Sequence, residues 1–221
     1  VSNFDFIKSQ VETNLALIRA KQVPQSWLFL NKTGFQHEFS DEQFEMTTFC
    51  FRIRELVIRD LGFCMIATDW IRPLAKWIGN RNCLEVMAGV GAFSYALQRE
   101  GVKIHATSLD DGSFKQFRKD DWCEVENIDA SEAIRKYQPE IVVMSWPSYK
   151  CNAATKVVET IREVNPNILL LYVGEGKGGC CADDDFFENV KKVEDARFLQ
   201  AVESYTTFWS IHDKPYLLQV R

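Results

Sequence analysis

From Cys83 onward the chain alternates short apolar runs with amphipathic stretches, and this alternation constrains the fold more than any other feature. It is the pattern of βαβ units, in which parallel strands are buried on both faces by the helices that connect them. Five runs read as buried strands: Cys83 to Met87, Val102 to Ala106, Cys123 to Val125, Ile141 to Ser145 and Ile168 to Val173. Helices are expected between them at Ala92 to Glu100, Phe114 to Lys119, Ser131 to Tyr137 and Ala153 to Val164, the first stopped by Gly101 and the last by Asn165-Pro166. The end of the chain breaks the pattern. Tyr205 to Ile211 and Tyr216 to Val220, joined by His212-Asp213-Lys214-Pro215, predict an antiparallel hairpin on the sheet edge.

Residues 1–80 read as helical. Ile7, Val11, Leu15 and Ile18 recur at helical spacing, and Ser40 with Gln43 has the form of a capping box before the stripe Met46, Phe49, Cys50, Ile53, Leu56 and Val57. A third helix is expected from Thr68, as N-cap, to Ile78, with Gly79 closing it. A chain of 221 residues accommodates one domain with an elaboration. The expected division is a helical extension or cap over 1–80 and a sheet domain over 81–221.

Composition narrows the function. Hydrophobic residues at 46% and charged residues at 26% exclude a disordered chain. A net charge of -5 has the wrong sign for neutralising phosphates, so nucleic acid is disfavoured as a partner. No run approaches the roughly 18 apolar residues of a membrane helix. The seven cysteines form no CxxC pair and the three histidines stand apart, so reduced thiols, a cytoplasmic setting and no metal site are expected. The chain opens at Val1 with no initiator Met and no leader pattern, and a trimmed start is expected.

The chemistry concentrates where strands end. Leu84-Glu85-Val86-Met87-Ala88-Gly89-Val90-Gly91-Ala92-Phe93 is a strand, a glycine turn and a helix start. Such glycines let a ligand approach the backbone, and the helix start offers unpaired N–H groups. Glu85 is a carboxylate in an apolar strand and needs a partner: a ligand amino group, an arginine or a backbone group. A dinucleotide turn would read GxGxxG or GxGxxA, whereas this chain has Ser94 at the last position. After the second run, Asp110 or Asp111 stands where an acid accepts ribose hydroxyls, or caps a turn. Asp129, in Asn127-Ile128-Asp129-Ala130, is either a ligand contact or a helix N-cap. The fourth run delivers Ser145-Trp146-Pro147-Ser148-Tyr149, and the fifth leads into a glycine-rich loop with Glu175 and the Cys180-Cys181 pair.

These residues resemble the class I S-adenosylmethionine-dependent methyltransferases, whose first motif is an apolar strand with Glu or Asp followed by GxGxG. Gly89 and Gly91 match the second and third glycines, and Met87 stands in place of the first. The resemblance implies a doubly wound α/β fold: a mostly parallel seven-stranded sheet of order 3-2-1-4-5-7-6 with the last strand antiparallel. It implies S-adenosylmethionine as cofactor, held by Glu85, Met87, Ala88, Gly89, Gly91, Asp110, Asp129, Ala130 and Ser145. Ser145-Trp146-Pro147 with Tyr149 is loosely similar to the fourth motif of amino-methylating members, Asp/Asn/Ser-Pro-Pro-aromatic. A small-molecule acceptor, with nitrogen favoured, is therefore implied, contacted by Trp146, Pro147, Tyr149 and Glu175. Trp27, Phe29, Phe35 and Trp70 either line its pocket or pack as core. No catalytic residue is singled out, because in-line transfer from a sulfonium rests on alignment. The alternative is a member of this fold that binds without turnover, a reading to which Met87 in the glycine turn contributes.

Overall fold

The computed structural model describes residues 3–28, 30, 41–109, 120–208 and 211–221. Three helices come first: α1 (Asn3–Arg19), α2 (Asp41–Leu61) and α3 (Thr68–Ile78). The alternating part follows as β1 (Cys83–Val86), α4 (Ala92–Arg99), β2 (Ile104–Thr107), β3 (Val125–Glu126), α5 (Ala130–Tyr137), β4 (Ile141–Ser145), α6 (Ala153–Val164) and β5 (Leu169–Gly174). The chain closes with α7 (Asp184–Glu188), β6 (Val190–Lys192), α8 (Ala196–Ala201) and β7 (Lys214–Val220).

The strands form one seven-stranded sheet of order β3-β2-β1-β4-β5-β7-β6. β1 to β5 run parallel, and β7 pairs antiparallel with both β5 and β6. This is the order that the resemblance implies. Strand side chains alternate between faces, and the core divides accordingly. Ile141 and Val143 of β4 join a cluster with residues of α1 to α4 and α8, such as Ile7, Val57, Trp70, Phe93 and Phe198. Val142 and Met144 join another with Ile134 of α5, Ile161 of α6 and Phe186 of α7. The result is helix, sheet and helix in three layers, with α1 to α3 sharing the apolar core of one face.

Several local expectations change. The run Tyr205 to Phe208 is not a strand, and the place beside β7 belongs to β6, with Val190 opposite Val220. Tyr205 instead packs edge-on against Trp70, and Thr206 and Phe208 are buried, so this run spends its side chains on the core rather than its backbone on a ladder. Thr68 begins α3 but does not cap it; Ala67 holds the N-cap position, and the Thr68 hydroxyl donates to the Pro24 carbonyl at 3.0 Å. β2 and β5 begin and end one or two residues later than their apolar runs, and β3 is confined to Val125–Glu126, so Cys123 falls outside it. Trp27 and Trp70 are core residues, each donating its indole N–H to a backbone carbonyl, that of Ile66 and of Met65. Ser40 of the expected capping box, Phe29, Phe35 and the expected helix over 114–119 lie outside the described residues.

Candidate functional site

In an open parallel sheet, ligands bind beyond the carboxyl ends of the strands where the winding reverses. Here the chain leaves β1 outward to β2 and β3, then returns to lay β4 on the other side of β1, so the reversal lies between β1 and β4. Val86, the last residue of β1, is opposite Met144, and β4 runs one residue further to Ser145. The residues just beyond them, Met87 and Trp146, both take the left-handed backbone region, with φ of +56° and +49°. This is costly for side-chain-bearing residues, on the order of 1–3 kcal/mol each, and is tolerated where the surroundings over-determine it, typically at functional turns.

The turn after β1 follows its sequence closely. Met87 adopts the left-handed φ of a glycine despite its side chain, and Gly89 and Gly91 follow at +56° and +71°. The two glycines have different reasons. A Cβ on Gly91 would lie 2.8 Å from both Cys123 Sγ and Val125 Cγ2, so this position is fixed by packing against the chain entering β3. A Cβ on Gly89 would meet nothing within 4 Å, so the space in front of it is open. The Ala88 N–H is held by the Thr107 carbonyl at 2.9 Å, tying the turn to the end of β2.

Glu85 is 2% exposed, and its Oε2 accepts from the Ser94 N–H at 3.0 Å and the Ser94 hydroxyl at 2.5 Å. The carboxylate is thus fastened to the first turn of α4, where helix N–H groups favour negative charge. Burial nevertheless dominates and pushes its pKa up to about 7, with the Ser94 bonds opposing. Asp129 is the N-cap of α5, accepting from the Ser131 N–H at 2.8 Å, and Ala130 is the first residue of that helix. Asp110 and Asp111 lie outside the described residues.

At β4, Ser145 is half-buried and ends the strand. Trp146 donates its backbone N–H to the Val173 carbonyl at 2.8 Å and its indole N–H to Asp213 Oδ2 at 2.9 Å, and its ring stacks on Phe63 with centroids 5.3 Å apart. Pro147 is buried, and its carbonyl accepts from the Ala182 N–H, whereas Tyr149 is exposed under the Lys150 ammonium. Glu175 is buried, and both its oxygens are taken by backbone: Oε2 by the Cys180 N–H at 2.8 Å and Oε1 by the His212 N–H at 3.0 Å. Those bonds, His212 first, hold its carboxyl below the usual range. Glu175 therefore staples the glycine-rich loop to the segment that enters β7.

That segment contributes groups the sequence did not announce. Tyr205 donates its hydroxyl to Asp213 Oδ2 at 2.5 Å, and the buried Cys64 thiol has the hydroxyls of Ser145 and Tyr205 as hydrogen-bond neighbours. Burial, with Asp213 and Glu85 nearby, raises that thiol far above its ordinary value. Asp213 reads in sequence as a polar turn residue, and Cys64 as a small apolar one. The antiparallel return of β7 brings Asp213 to the ends of β4 and β5, and the connection between α2 and α3 brings Cys64. Among the described residues, no His, Cys, Asp and Glu group has metal-site geometry.

No protein-family model matches the chain, and no curated protein matches it. Solved structures similar to it include the glycopeptide N-methyltransferase MtfA complexed with (S)-adenosyl-L-methionine, at 20% identity over 50% of this chain, with a TM-score of 0.37. Another is MtNAS in complex with MTA and tNA, at 12% identity over 82% of this chain and 66% of that one, with a TM-score of 0.47. A TehB-like SAM-dependent methyltransferase from Corynebacterium glutamicum matches at 12% identity over 80% of this chain and 98% of its own, with a TM-score of 0.44. The chain spans 55% of the MtfA structure. At such identities a shared fold is not a shared substrate. The strand order, the antiparallel seventh strand and the strand, turn and helix at β1 give this chain the class I methyltransferase fold.

Proposed function

We propose that the chain binds S-adenosylmethionine across the ends of β1 and β4 and transfers its methyl group to a nitrogen of a small molecule. The observation that carries this reading is the turn Met87 to Gly91: three left-handed residues at a strand end, with open space before Gly89. The cofactor supplies a methyl group on a sulfonium, already activated for transfer. The chain's task is then to hold two reactants in line and to exclude water. The backbone of Met87, Ala88 and Gly89 lies against the amino-acid part of the cofactor, with Glu85 holding the turn on α4 and contributing negative charge toward an amino group. Asp110 or Asp111 takes the ribose, Asp129 and Ala130 take the adenine, and Ser145 adjoins the transferred group. Trp146, Pro147 and Tyr149 border the acceptor, and Glu175 keeps His212 and its neighbours in place. In this reading α1 to α3, from the 1–80 extension, cover the cofactor beside the 81–221 sheet domain.

The left-handed φ of Met87 supports cofactor binding despite the missing first glycine, because the methionine leaves the turn in the shape a glycine gives. Single-turnover assays with labelled methyl donor and a panel of small amines test the proposal. Transfer by the unaltered chain and at least tenfold weaker cofactor binding in Glu85→Ala and Asp129→Ala are expected. Undiminished affinity in both variants would remove the site assignment.

A further inference from the structure

Asp213 stands just ahead of β7, and the antiparallel direction of that strand sets it at the carboxyl ends of β4 and β5. Its Oδ2 receives both the Trp146 indole N–H and the Tyr205 hydroxyl. Its Oδ1 is buried without a hydrogen-bond partner, in a residue only 5% exposed. Among the described residues no lysine, arginine or histidine forms an ion pair with it. Buried carboxylate oxygens are rarely left without a donor, since nothing then offsets the loss of water. Beside it stands the Trp146 and Phe63 stack, and Phe63 is 44% exposed, so the aromatic wall reaches the surface. Aromatic faces and a carboxylate together favour positive charge and N–H donors over neutral hydroxyls.

We propose that Asp213 is the acceptor-recognition residue: its free Oδ1 receives an N–H of a small aromatic or apolar amine seated against Trp146 and Phe63. This rests on the methyltransferase reading for the identity of the site and specifies the acceptor class and the group that selects it. Tyr205 and Glu175 are positioning residues, the first by holding Oδ2 and the second by anchoring His212. An alcohol of the same shape brings a single O–H and no charge to the same oxygen, so the carboxylate discriminates against it.

The test is titration calorimetry of the full chain with benzylamine and with benzyl alcohol, each with and without S-adenosylhomocysteine. The unaltered chain should bind the amine at least tenfold more tightly than the alcohol. Asp213→Asn should abolish that preference, a loss of about 10- to 100-fold for the amine, while affinity for S-adenosylhomocysteine stays within twofold. Asparagine keeps an oxygen for Trp146 and Tyr205 and puts an NH2 where the free oxygen was, so the fold is expected to survive. Should it not, the amine-to-alcohol ratio on the unaltered chain decides alone. Equal binding of the two probes, binding of neither, or a preference that persists in Asp213→Asn would overturn the proposal and leave Oδ1 as a seat for structural water. An amine preference that depends on Asp213 without any binding of S-adenosylhomocysteine would instead defeat the cofactor reading and leave the amine site standing.

Discussion

Glu85 is a carboxylate buried in an apolar strand, and its titration is open to measurement. Its carboxyl ordinarily titrates at 4.5 and is raised to about 7 by burial, so between these values the folded chain binds a proton that the unfolded chain has released. Stability from this group is therefore greatest below pH 4.5 and falls as pH rises toward 7, by about 3 kcal/mol at 1.36 kcal/mol per unit. Glu85→Gln cannot titrate. Urea unfolding of the two proteins from pH 4.5 to pH 8 should show the variant gaining on the original by about that amount, and a constant difference would mean that Glu85 titrates normally. Gly91 gives a second prediction at this scale. Alanine there meets Cys123 and Val125 at 2.8 Å and keeps a φ of +71°, so Gly91→Ala should cost about 2–5 kcal/mol in denaturant unfolding. Sequence alone identified Glu85 as needing a partner, and Gly89 and Gly91 as turn residues. It did not say that one glycine makes room for protein and the other for open space, because that depends on how β3 lies across the turn.

Element by element, β4 and β5 were the most legible strands because both faces are buried and each lies in an apolar run, whereas β2 carries the exposed His105 and β3 is two half-buried residues. The edge was not legible. Val190–Lys192 has one buried residue followed by two exposed lysines, too short and too polar to read as a strand, whereas the aromatic run from Tyr205 has strand composition and, over its described residues, none of its pairing. β7 selects its partner through register, and register is a property of two segments. Helix ends behaved similarly. Asp129, Asp183 and Asp195 all cap the helices that follow them, as acids at helix starts do. Asp195 does more, since it accepts from Arg197 and Phe198 N–H groups and also from the Trp77 indole of α3 at 3.0 Å. Its carboxyl is held low chiefly by Trp77. Asp195→Ala should therefore cost about 1–2 kcal/mol, and Asp195→Asn, which preserves a capping oxygen, distinctly less; thermal unfolding of both variants checks the order.

At the scale of the whole molecule, the sheet order places two left-handed turns, one buried acid and one half-satisfied acid at the carboxyl ends of neighbouring strands. Met87 and Trp146 are neighbours there only because β4 returns beside β1, and Asp213 joins them only because β7 runs backward. The sequence pattern yields the alternation of strands and helices, and the family resemblance supplies their order. Of the acceptor side proposed above, the resemblance implied Trp146 but not Phe63, Cys64, Tyr205 or Asp213, because these come from three separate parts of the chain and carry no motif. Ligand binding at the strand ends should stabilise the whole fold, since a ligand held only by the folded chain shifts the unfolding equilibrium toward it. The most direct test of this account is titration calorimetry with S-adenosylhomocysteine, with NAD as the control. One site of micromolar affinity for S-adenosylhomocysteine and no heat with NAD is the predicted result; binding of NAD, or of neither, would contradict it.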